Sequence, residues 1–156
     1  MTRTAERGSV SIEVAVLAPA FIALMVLAGV VGRTAVAAEA LDAAAHDAAR
    51  AASISRNSNT AETAALEAAR KQLDWHGLAC ANDLDPTFGS SVAGHDSPGL
   101  DDAFRSTVGT DASVTVTIIC RVSFRDITLG LLPGMKSEKK ITATFTSPLD
   151  RYRSRQ

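Results

Sequence analysis

The sequence predicts an α+β protein: a long amino-terminal helix that crosses a membrane and continues as an alanine-rich stalk, a second helix, then a small antiparallel β-sheet. Three observations lead there. Val14 to Gly32 passes without a charge, alanine is concentrated at helical spacing between residues 35 and 69, and two late segments, "ASVTVTIICRVSF" and "EKKITATFTS", alternate apolar with polar residues. The expected divisions are a leader over 1–8, a membrane helix over 9–32, a helical stalk over 33–58 and a small α+β domain over 59–156.

Taken in order, "MTRTAERG" is polar and short, with nothing to fold around. The uncharged run that follows is nineteen residues long, about 28 Å of helix at 1.5 Å per residue and close to the hydrocarbon thickness of a bilayer. Neither proline nor glycine interrupts the chain after Gly32, so one helix is expected from about Ser9 to about Ser55. Pro19 is compatible with it, because membrane helices tolerate proline. Beyond the membrane, a 100° wheel gathers Glu39, Asp42, His46, Arg50 and Ser53 on one side. Ala37, Leu41, Ala44, Ala45, Ala48 and Ala52 gather on the other, a flat face that lets another helix approach closely, so Ala37, Leu41, Ala44, Ala48 and Ala52 are the expected helix-packing residues.

"SRNSNT" breaks this helix, and "NTAE" reads as a capping box with Asn59 as N-cap and Glu62 three residues on. A second helix is expected over 60–75, with Leu66, Ala69 and Leu73 on its apolar face and a stop at Gly77. The Gly, Ser, Asp and Pro content of residues 82–110 reads as an irregular surface loop. In the first strand Val114, Val116, Ile118, Cys120, Val122 and Phe124 share a face; in the second, Ile141, Ala143 and Phe145 do. The Pro133–Gly134 turn between them predicts an antiparallel pair.

The two cysteines, Cys80 and Cys120, lie far apart and outside any metal-ligand spacing. Downstream of a membrane segment they lean toward one disulfide in an oxidising compartment, closing a loop of roughly 40 residues that contributes about 3–5 kcal/mol. Two reduced thiols buried in a cytosolic protein are the alternative.

Chemistry is not signalled. The formal charge is −1 with both signs mixed along the chain, so no basic field calls for nucleic acid. His46, His76 and His95 share no motif; His46 with Asp47 and Arg50 reads as a solvated helical stripe rather than catalytic apparatus. No G-x-S-x-G elbow or phosphate-binding G-x-x-x-x-G-K-[ST] occurs, and Trp75 reads as a core or boundary residue. No enzyme activity, cofactor, metal or small-molecule substrate is therefore expected.

Glu13 is the anomaly, a carboxylate at the leading edge of the apolar run. A secretory signal peptide cut after Ala35-Val36-Ala37 would have an unusually long hydrophobic region that Glu13 weakens; a plain anchor would leave Glu13 as a solvated edge residue. A third reading explains Gly8 and Glu13 together. "RGSVSIE" resembles the class III signal of type IV pilins, in which a prepilin peptidase cuts after glycine and glutamate is the fifth mature residue. "RGSVSIEVAVLAPAFIALMVLAGVVGR" is similar in particular to the TadE-like family of the tight-adherence (Flp-type) pilus system, and the "SPLDRYR" ending to that of small actinobacterial members.

The resemblance implies a pilin-like fold, cleavage between Gly8 and Ser9, and a role for Glu13 in assembly through the freed terminal ammonium of a neighbouring subunit. It implies as partners the membrane, prepilin peptidase and other pilin-like subunits, met through the amino-terminal helix. Val14 stands where major Flp pilins usually carry an aromatic, which points to a minor pilin or pseudopilin. The expected function is thus a non-enzymatic structural component of a tight-adherence pilus or related secretion assembly. The alternative is an anchored or secreted binding module whose loop 82–111 contacts a ligand. Arg3, Arg7 and the amino terminus, set against Glu6, on one flank, and Arg33 followed by Glu39 and Asp42 on the other, favour a cytoplasmic amino terminus and residues 33–156 outside the cell membrane, in a single pass.

Overall fold

The computed structural model describes residues 7–78, 80, 84–124 and 138–152, with side chains from residue 12 onward. Most of the leader and the Pro133–Gly134 turn lie outside the described residues. The fold is α+β. Helix α1 runs Arg7–Ile54 and α2 runs Ser58–Trp75; strands β1 (Thr87–Val92) and β2 (His95–Pro98), the short helix α3 (Asp101–Arg105), β3 (Ala112–Ser123) and β4 (Glu138–Pro148) follow. The four strands form one antiparallel sheet in the order β2-β1-β3-β4.

Helix α1 continues through Pro19 without a break and extends far past the apolar run. Its outer part is a structural axis for the rest of the fold. Ala37, Ala40, Leu41, Ala44, Ala45, Ala48, Ala49 and Ala52 are buried, in a stripe that advances by three and four residues. Helix α2 packs along α1, and so, separately, do β3 and β4. From α2 come Ala61, Ala65, Ala69 and Leu73, at a strict spacing of four. Alanine on both helices removes little apolar area from water, but it allows their backbones to approach within the short end of the usual 8–10 Å range. The face expected to receive another helix is therefore filled by this chain's own α2 and sheet.

The start of α2 differs from the capping box read in the sequence. Asn57, not Asn59, is the N-cap: its backbone is extended, and its Oδ1 accepts a hydrogen bond from the Thr60 amide at 2.9 Å. Thr60 occupies the third helical position, and its hydroxyl bonds back to the Asn57 carbonyl, so Glu62 lies too far along to close a box. Leu66 is only half buried, because the contact face follows the alanines at 61, 65 and 69 rather than the larger leucine. Trp75 is 85 % exposed and belongs to no core.

Residues 82–110 are more than a loop. Val92 and His95 close a hairpin across Ala93 and Gly94, both at positive φ (51° and 83°), the backbone required of a two-residue turn that matches strand twist. Alanine seldom adopts that conformation, which is why the hairpin is hard to read. Strand β1 pairs with β3 over its whole length, and α3 folds Leu100, Ala103 and Phe104 beneath the sheet. In β3 every second residue from Ala112 to Val122 is buried, and Phe124 with them. Its partner β4 buries Ala143 but leaves Phe145 partly open. The other face of the sheet carries Thr115–Thr146 and Thr117–Thr144 pairs, with hydroxyls 2.8 and 2.9 Å apart.

Candidate functional site: the exposed apolar helix

Between residues 12 and 36 most side chains of α1 are exposed, although Val26 is buried and Val30 packs against the core. Ile12, Val14, Val16, Leu17, Phe21, Ile22, Leu24, Met25, Leu27, Val31 and Val36 are all exposed. A continuous apolar surface of this length far exceeds the few hundred Å² that a monomer in water presents. The helix is long and apolar enough to cross a membrane. Thr34, just past the uncharged run, returns its hydroxyl to the Val30 carbonyl at 2.7 Å, which spares the helix an unsatisfied polar group near the boundary.

Glu13 lies on the exposed surface at the start of this segment, next to Val14. Gly8 and Ser9 fall in the first turn of α1, where side chains are not among those described. Glu13, Gly8 and Ser9 thus remain on the apolar end of α1, while Ala37, Leu41, Ala44, Ala48 and Ala52 are withdrawn into the core. Cys80 and Cys120 are brought together as a disulfide with a Cα–Cα distance of 5.5 Å, which ties the chain after α2 to the inner face of β3.

The histidines stay apart. His46 lies on α1 with its Nδ1 3.3 Å from Asp47 Oδ1 and its ring edge-on to Phe145 of β4, ring centroids 4.5 Å apart. His76 caps the end of α2 and His95 opens β2. No group of three or more His, Cys, Asp or Glu among the described residues could hold a metal. Ser90 is buried and, among the described residues, its hydroxyl has no hydrogen-bond partner and so no base to activate it as a nucleophile; in the sheet it stands opposite Val114. Two surface hollows are shallow: one of about 230 Å³ lined by Lys71, Gln72, Trp75 and His76, and one of about 190 Å³ lined by Ser91, Gly94, Asp111, Ala112, Ser113 and Pro148. Sequence reasoning missed the exposure of Trp75, because helical spacing cannot tell a boundary position at a helix end from a core one.

These features define a class: a protein with an amino-terminal apolar helix long enough to cross a membrane, whose continuation is the axis of a small α+β fold. Residues 8–50 are matched by the family model described as TadE-like protein. The match agrees with the resemblance carried by the sequence and spans both the membrane segment and most of the buried alanine stripe. No curated protein and no solved structure matches the chain.

Proposed function

We propose that this protein is a TadE-like pseudopilin, a non-enzymatic structural component of a tight-adherence pilus or related secretion assembly. The observation that carries the reading is the coincidence, within residues 8–50, of Gly8, Glu13 five positions later, and a helix that leaves most of its large apolar side chains exposed between Ile12 and Val36. Prepilin peptidase removes residues 1–8, Ser9 becomes the amino terminus, and residues 9–32 hold the protein in the membrane. The rest stands outside the cell, in keeping with the flanking charges and with a disulfide formed in an oxidising compartment.

In this reading the carboxylate is a registry device. A charged side chain within the bilayer costs about 2.5–3.5 kcal/mol, less near the interface, so Glu13 is tolerable when a partner charge offsets it. The ammonium created at Ser9 of a neighbouring subunit supplies that charge, and the open face of α1 supplies the packing surface. A pair of this kind fixes register more dependably than it adds stability.

The test is the amino-terminal residue of the mature protein, read by mass spectrometry of its terminal peptide from membranes. A start at Ser9 is expected. A start at Ala38 would make the protein an exported one released from its signal, and an intact terminus at Met1 or Thr2 would make α1 a plain anchor.

A further inference from the structure

Three parts of the fold that are remote in sequence end at one level along α1. Helices α1 and α2 are joined by residues 55–57 alone and pack along their length, so they run antiparallel and residues equidistant from the connection lie side by side. Trp75, the last residue of α2, therefore lies beside about residue 37 of α1. Strand β4 is placed by two contacts: the Ser147 hydroxyl donates to that of Ser53 at 3.0 Å, and Phe145 meets His46. Strand and helix thus point the same way. At about 3.3 Å per strand residue against 1.5 Å per helix residue, Lys139 and Lys140 come level with about residues 33–38 of α1. Arg121 is the register partner of Lys140 and shares that level.

That level begins where the uncharged run stops, at Gly32 and Arg33. It corresponds to the polar layer of roughly 5–7 Å that separates hydrocarbon from water on each side of a bilayer. Gathered there are an indole that is almost wholly exposed and the exposed cations Arg121, Lys139 and Lys140, with Arg33 on α1, against the exposed acids Glu138, Asp74 and Glu39. A tryptophan ring has an apolar body and a polar N–H, the combination that suits this layer, and lysine and arginine complement anionic phosphates.

We propose that this end of the fold is a membrane-contact surface. The Trp75 indole lies among the headgroups of the leaflet from which α1 emerges, while Arg121, Lys139 and Lys140 pair with the phosphates of anionic phospholipids. The proposal rests on α1 spanning the membrane. The Cys80–Cys120 disulfide joins the two supports: Cys80 follows the end of α2, and Cys120 precedes Arg121. The sheet and α2 then stand on the membrane rather than swinging about α1.

Trp75 is the chain's single tryptophan, so its fluorescence reports this surface without interference from another indole. The full chain is reconstituted into vesicles of phosphatidylglycerol and phosphatidylcholine, the latter brominated near the top of its acyl chains. Blue-shifted emission, strong quenching by the brominated lipid and weak quenching by aqueous iodide are expected. The double variant Lys139→Glu, Lys140→Glu should raise iodide quenching at least about twofold, as should vesicles without phosphatidylglycerol. Full iodide quenching with no effect of brominated lipid would overturn the proposal, and an unchanged charge variant would overturn the pairing with phosphates. A second protein, Trp75→Phe with Leu24→Trp, reports α1 alone. Lipid quenching at position 24 but not at Trp75 sinks the proposal while leaving the span intact, and quenching at neither sinks both.

Discussion

Cys80 and Cys120 are joined across 40 residues, and the bond links the end of the helical pair to the central part of the sheet. Helix α2 packs mainly on α1, and α1 in turn on the sheet, so among the described residues the disulfide closes a circuit that is otherwise held mainly through α1. For a loop of this length the chain-entropy relation gives about 4 kcal/mol. Cys80→Ser or Cys120→Ser should lower the thermal midpoint by many degrees, and alkylated wild-type protein should change mobility on reduction. Full labelling of both thiols without reductant would exclude the bond.

Ala48 is fully buried on α1, the helix on which α2, β3 and β4 all pack, so Ala48→Leu places a larger side chain in the interior. The expected loss is about 1–3 kcal/mol or more, whereas Asp42→Ala, on the exposed side of the same helix, should change stability by less than about 0.5 kcal/mol. Urea titration of the two variants distinguishes them.

The position of the N-cap gives a paired test. Asn57→Ala removes the acceptor of the Thr60 amide and should cost about 1 kcal/mol, while Asn59→Ala, already inside the helix, should be close to neutral. The reverse order would place the cap at Asn59 after all.

Charge reversal at Glu13 addresses assembly. Glu13 lies on the open surface of α1, away from every contact of the folded part, so Glu13→Lys should leave the melting transition unchanged. It should also leave cleavage after Gly8 largely intact, yet abolish incorporation into the assembled structure, assayed by cross-linking to other pilin-like subunits. Assembly at the wild-type level would remove the registry role.

Long runs of one character are legible in the order of residues alone. The uncharged stretch from Val14, the alanine periodicity from Ala37 and the alternation through β3 each repeat a single local rule many times, and α1, its buried face and the β3–β4 pairing follow from them. Gly8 and Glu13 are legible as a motif through the resemblance of "RGSVSIE" to the class III signal. Short or unconventional signals are not. The hairpin of β1 and β2 turns on Ala93, a residue without turn preference, and β1 is rich in Gly and Ser because its strand status is set by pairing with β3.

What the sequence determined, then, is the membrane-spanning length of α1 and the surface on each element that is apolar, since both depend only on residue type and period. What the tertiary structure decided is which surfaces meet. The alanine stripe is consumed within the chain because the three-residue connection folds α2 back along it, and the sheet covers the adjacent side. The same folding carries Trp75 to the level of Arg121 and Lys140, a gathering that no local pattern encodes because it depends on contacts between distant segments.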